Sequence, residues 1–139
     1  MGATFKKFRS SVKTQARLVR ATLRSALALY LYKNAEDADE IKAALKPVLS
    51  ALEKDEYDTE DLIHEALEKA LTSVLDNKPP YLRVAFMDLI DTILTMLTEK
   101  IGGFDEDKIL SPEEKEAYKI ILQGLIDVCD LVLAEEANK

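Results

Sequence analysis

The chain has 139 residues, 47% hydrophobic and 32% charged, which suits one globular domain able to form a core without metal or disulfide help. Its single cysteine, Cys129, excludes an internal disulfide and points to a reducing intracellular compartment, cytoplasmic or another. The net charge of −7 is unevenly divided: residues 1–33 hold eight Lys or Arg and no acid (+8), whereas residues 34–139 hold 11 basic and 26 acidic residues (−15).

The first element predicted is a long basic amphipathic helix over about residues 4 to 33. Phe5, Phe8, Val12, Ala16, Val19, Leu23, Leu27 and Tyr30 recur in steps of three and four, which places them on one helical face. Arg9, Lys13, Arg17, Arg20 and Arg24 form a second stripe roughly 100° around the helix from the first. Ser11, Thr14, Gln15, Thr22 and Ser25 occupy the remaining side.

Acidic residues arrive together between residues 36 and 40, as the macrodipole favours at a helix start. Ile41, Leu45, Val48, Leu49 and Leu52 carry one apolar face to about residue 53. Pro47 interrupts this element, and the unbroken apolar phase favours a kink over two separate helices. Asp58 or Thr59 is placed to cap a third helix with the face Leu62, Ile63, Ala66, Leu67, Ala70, Leu71, Val74 and Leu75. The run Asn77-Lys78-Pro79-Pro80 stops it. A fourth helix follows from about residue 81 to 101, ended by Gly102-Gly103. Ser111-Pro112-Glu113-Glu114 then spells a capping box opening a last helix to about residue 135. The expectation is an all-α domain over residues 1–139, a bundle of five helices, or six if Pro47 breaks one, with mostly antiparallel neighbours.

The last two helices are apolar around more than half their circumference, although a surface helix needs only about a third. That surplus predicts either central positions or one core face plus a subunit interface, the second of which means self-association. Asp88 and Asp91 break one of these segments and Asp127 and Asp130 the other, so neither reads as a transmembrane span. The short stretch Ala26–Tyr32 fits a secretory signal peptide poorly.

Constellations that carry chemistry are sparse. There is one histidine, His64, among Glu60, Asp61, Glu65 and Glu68 on what reads as a solvated helix side, and no nucleophile motif accompanies it. Asp61-Leu62-Ile63-His64 is the only relative of the Glu-x-x-His pair that di-metal bundles use twice. Cys129 lies in an apolar run with no cation beside it, and reads as a buried small hydrophobe. Residues 103–114 have the length of an EF-hand loop, with Asp105, Asp107 and Glu114 at the third, fifth and twelfth positions. Gly103 replaces the first carboxylate, however, and Lys108 the turn glycine, so this degenerate calcium candidate lacks two essentials. Gly102-Gly103 follows a helix instead of preceding one, opposite to a phosphate-binding loop. The expectation is therefore a protein that is not an enzyme and needs no metal or cofactor.

The basic helix carries what functional signal remains. Its stripe, Arg9, Lys13, Arg17, Arg20 and Arg24, suits an anionic protein surface, belonging to another copy or to a partner in a larger assembly such as a viral particle. The same cations suit nucleic-acid phosphates. With Phe5, Phe8, Val12, Val19 and Leu23 inserted, the helix would suit an anionic membrane surface. Plentiful Arg, Ser and Thr with no acids also read as a mitochondrial-type presequence. In the structural reading the apolar face simply packs into the bundle, and the basic stripe faces acidic helices of the same chain or a partner subunit. An acidic body repels both polyanions, which favours the protein partner.

Overall fold

Helix α1 (Gly2–Lys33) forms where the sequence places it, and from Val12 onward its apolar face packs into the core. A computed structural model of the chain describes residues 2–101 and 109–139, and the side chains of these except 2–11 and 77. Within that range Val12, Ala16, Val19, Leu23, Leu27 and Leu31 are buried, so the face runs one turn past Leu27 to Leu31, with Tyr30 half-buried at its edge. Each Leu or Val so buried contributes roughly 1.5–3 kcal/mol of transfer free energy.

Helix α2 (Asp37–Glu53) runs without a break through Pro47, so the described residues hold five α-helices and not six. Pro47 is exposed while Ile41, Leu45, Val48, Leu49 and Leu52 are buried. The lost backbone hydrogen bond thus faces solvent, and the packed face keeps the helix in phase. Asp55, in the left-handed region at φ 60°, ends α2, with the Glu56 amide donating back to the Ala51 carbonyl. Aspartate is among the few side chains that tolerate this conformation.

Helix α3 (Glu60–Ser73) buries Ile63, Leu67 and Leu71 and tightens into a 3-10 turn (Val74–Asn77). Thr59 stands at its N-cap without a side-chain cap bond and pairs instead with Ile109 in an isolated antiparallel bridge. The Leu110 amide donates to the Asp58 carbonyl beside it, tying the start of α3 to the start of α5. Helix α4 (Pro80–Lys100) opens on its proline, and α5 (Pro112–Ala137) opens on the expected capping box. The Glu114 amide donates to Ser111 Oγ at 3.2 Å, and the Ser111 amide donates to Glu114 Oε1 at 3.1 Å.

Helix α5 is the central one. It packs most extensively on α1 and on α2, and buries Tyr118, Ile121, Leu122, Leu125, Ile126 and Cys129. Most of the apolar surplus read in its sequence is accounted for inside a single chain, with Leu131 left exposed. In α4 it is only partly so, because Tyr81 and Val84 are exposed. Neighbouring helices are not all antiparallel: α1 and α5 run parallel, with Lys13 beside the first turn of α5, Arg24 beside Gly124, and Leu31 and Tyr32 beside Leu131. An odd number of alternating helices leaves the first and last pointing the same way. No described helix is long and apolar enough to cross a membrane.

Candidate interaction surface

The basic stripe follows from the register of α1. With the core at one side of the helix, positions 13, 17, 20 and 24 fall on the flank that faces α5. The structure divides them. Lys13 and Arg17 are exposed, whereas Arg20 and Arg24 are half-buried and lie across Gly124 of α5. A Cβ on Gly124 would sit 2.6 Å from Arg20 Cγ and 3.3 Å from Arg24 Cδ, so a residue without a side chain is what lets the two arginine stems cross α5 there. The shallow groove at this crossing also carries Glu53, Glu116 and Asp127, so Arg20 and Arg24 sit in an acidic setting of their own chain. Even so, among the described residues none of Lys13, Arg17, Arg20 or Arg24 has an ion pair within 4.0 Å. The Arg9 side chain lies outside the described residues.

On the apolar side, Val12, Val19 and Leu23 are 8%, 1% and 0% exposed, so inserting them into a membrane would require opening the bundle. The side chains of Phe5 and Phe8 lie outside the described residues. The degenerate calcium candidate is divided as well: Asp105 and Asp107 lie outside the described residues, and Glu114 is 3% exposed with its carboxylate engaged in the capping box. Among the described residues, no three His, Cys, Asp or Glu side chains converge in a way that could hold a metal ion. Cys129 is fully buried, and burial pushes its thiol up to about 11, which keeps it protonated and unreactive at neutral pH.

Two polar clusters escape a reading of the sequence. Asp37 occupies the first position of α2, where its charge suits the helix start, yet it is 3% exposed. Its Oδ1 meets Lys78 Nζ at 2.5 Å, and its Oδ2 accepts from the Tyr30 hydroxyl at 2.6 Å. Burial, and then the bond to this carboxylate, pushes the Tyr30 hydroxyl far above its ordinary range. Lys78, read as part of a helix stop, is 8% exposed, and its own carbonyl accepts from Arg83 Nε. No periodic pattern marks this cluster, because Lys78 sits in a turn.

His64 corrects the expectation of a solvated residue. Its Nε2 shares a 2.7 Å hydrogen bond with the Tyr118 hydroxyl of α5, and its Nδ1 lies 3.2 Å from Thr98 Oγ1 of α4. Glu60 Oε1 is 3.8 Å from Nε2, and the imidazole is 19% exposed. Asp61, Glu65 and Glu68 do face solvent, but His64 sits at the edge of the Ile63–Leu67 core face, where α4 and α5 each bring up a hydroxyl. Burial lowers its pKa, with nearby Asp61 opposing. Burial also raises the Tyr118 hydroxyl far above its ordinary range.

No family model, curated protein or solved structure matches this chain.

Proposed function

We propose that the chain is a non-catalytic helical assembly protein that associates with itself, its basic first helix meeting an acidic protein surface. One observation carries this reading. Lys13 and Arg17 are exposed and without an ion pair among the described residues, on a molecule whose residues 34–139 carry a net −15. The same chain thus offers both halves of an electrostatic contact, and such complementarity steers and orders association. A nucleic-acid partner is the second reading. It is favoured because Lys6 and Arg9 continue the basic register toward the N-terminus, and opposed by the charge of the body.

Sedimentation velocity of the purified chain, with DNA-duplex and phosphatidylserine-vesicle binding alongside, tests this. The expected result is concentration-dependent association that weakens as salt rises from about 50 to about 300 mM, because the Debye length shrinks over that range. A chain that stays monomeric yet binds the duplex with a steep salt dependence, lost in Lys13→Glu/Arg17→Glu, would overturn the proposal for the second reading. Vesicle binding by the monomer would overturn it in favour of a membrane surface.

A further inference from the structure

Between residues 18 and 32 the outward side of α1, opposite the core, is free of charge. From residue 18 to residue 32 the exposed positions are Leu18, Ala21, Thr22, Ser25, Ala28, Leu29 and Tyr32. Leu18 is 57% exposed, Leu29 74% and Tyr32 85%, although a solvated helix face ordinarily carries charge there. Thr22 adds to the apolar character, because its hydroxyl donates back to the Leu18 carbonyl at 2.9 Å. The face continues sideways into a groove of about 690 Å³ between α1 and α5, walled by Ala28, Tyr32, Leu131 and Val132 and rimmed by Glu135 and Glu136. Arg24 and Lys139 also line it, with Lys139 Nζ 3.0 Å from Glu136 Oε1. Leu131 adds a further 60% exposed side chain.

The spacing of this face says what covers it. Leu18, Ser25 and Tyr32 are seven residues apart, with Ala21 or Thr22 and Ala28 or Leu29 between them, which is the seam of a two-helix coil over two heptads. The seam is also symmetric about Ser25. In an antiparallel pair centred there, Leu18 faces Tyr32 of the other copy, Ala21 faces Leu29, Thr22 faces Ala28, and Ser25 faces itself. Small residues meet at the centre of the seam and the large pair Leu18–Tyr32 closes each end, so the two helices can approach closely at Ser25.

Charge selects the same arrangement. Because α1 and α5 run parallel, Glu135 and Glu136 lie at the level of residues 32–35, at the end of α1 and just past it. An antiparallel neighbour brings its Arg17 and Lys13 to that level, on the flank that faces α5. A parallel neighbour would instead lay the two N-terminal segments, each with Lys6, Lys7, Arg9 and Lys13, side by side. We infer that a second copy of this chain docks antiparallel on the outer face of α1, through the Leu18–Tyr32 seam, with Arg17 of each copy against Glu135 and Glu136 of the other. The inference rests on the self-association proposed above and names the surface that performs it.

Sedimentation velocity of wild type and Ser25→Arg, over about 5 to 300 µM, tests the seam, with thermal melting to show that the exposed substitution leaves the fold intact. The expected result is a wild-type dimer and a dissociation constant raised at least about tenfold by Ser25→Arg, since like charges meet at the two-fold axis. Arg17→Glu should weaken the dimer, and Glu135→Lys/Glu136→Lys in the same chain should restore it. Orientation is read by oxidative cross-linking. Leu18→Cys mixed with Tyr32→Cys should form the mixed disulfide, and Leu18→Cys alone should not pair with itself. A wild-type dimer that ignores Ser25→Arg would overturn this seam while leaving self-association standing. A chain monomeric throughout would overturn both. Self-pairing of Leu18→Cys would overturn the antiparallel arrangement.

Discussion

The two polar clusters of the bundle solve the same problem in opposite ways. Around Asp37 a full charge is taken out of water and matched by another full charge on Lys78, with the Tyr30 hydroxyl filling the second carboxylate oxygen. Around His64 three helices meet through groups that are neutral at pH 7, an imidazole between the hydroxyls of Tyr118 and Thr98. Neutral hydroxyls and a neutral imidazole can exchange donor and acceptor roles, whereas a buried carboxylate and ammonium cannot. The ionic cluster should therefore be severe to break. The neutral cluster should be milder to break and pH-sensitive.

The largest effect tests the first half of that contrast. Asp37→Ala leaves Lys78 Nζ buried, with only Glu40 at 3.7 Å, and should destabilise the fold by about 3–5 kcal/mol. In a domain of this size that lowers the melting temperature by roughly 10 °C or more, readable by circular dichroism or calorimetry. Asp37→Leu/Lys78→Met, which removes both charges and keeps the volume apolar, should recover most of the loss. A double variant as unstable as Asp37→Ala would mean that the hydrogen bond to Tyr30, and not charge compensation, dominates.

Tyr118→Phe probes the neutral cluster. The ring and its edge-on contact with His64, centroids 5.9 Å apart, survive the change, while His64 Nε2 loses its partner. The cost should be about 1–2 kcal/mol in a urea melt, below that of Asp37→Ala, because no uncompensated charge is left behind. A loss equal to that of Asp37→Ala would erase the distinction between the clusters.

Along α5 between these extremes lies Gly124, where packing alone is at stake. Gly124→Ala gains about 1 kcal/mol in helix propensity. Its Cβ, however, would stand 2.6 Å and 2.8 Å from Arg20 Cγ and Cδ, near the fixed end of that side chain, and such overpacking costs roughly 1–3 kcal/mol. The net expectation is a loss of about 1 kcal/mol, measured by denaturant melt. Arg20→Ala in the same chain should turn the substitution into a gain.

These positions show where the fold could be read from the sequence and where it could not. Helix existence and core faces follow from local periodicity: Val12 to Leu27, Ile41 to Leu52 and Ile63 to Leu71 are buried on the faces their spacing implies. The Ser111–Glu114 box is also local and forms as written. Pro47 proved an exposed interruption in a helix held by its other side. The Asp37–Lys78 pair joins residues 41 positions apart, and His64–Tyr118 joins residues 54 apart. No spacing rule reaches that far, since such pairs depend on how helices pack. Gly124 was silent for the same reason, its role being defined by two arginines on another helix. Of the stripe residues whose side chains are described, all four fall on one flank as register requires, but only packing could separate the exposed Lys13 and Arg17 from Arg20 and Arg24.

The smallest expected effect is the pH response of the neutral cluster, and its sign follows from burial. His64 is less basic in the fold than in the unfolded chain, chiefly because burial disfavours the imidazolium, with Asp61 opposing. The unfolded state therefore takes up a proton first as pH falls below about 6.5, the ordinary histidine value. The stabilising contribution is fully present above that pH and is lost as pH falls through the lowered folded pKa. The melting temperature of wild type should thus decline between pH 7.5 and pH 5.0 more steeply than that of His64→Gln, which keeps hydrogen-bonding capacity without titrating in this window. Carboxylates begin to protonate at the lower end of the range, and subtracting the His64→Gln curve removes their share. Parallel curves would mean that the imidazolium is tolerated in place, with Glu60 at 3.8 Å drawn in to compensate it, and the neutral cluster would then resemble the ionic one in its acidic form. A Glu60→Gln background separates the two outcomes. If Glu60 supplies compensation, its removal should restore the steep decline, and if burial alone governs His64, the decline should already be present and change little.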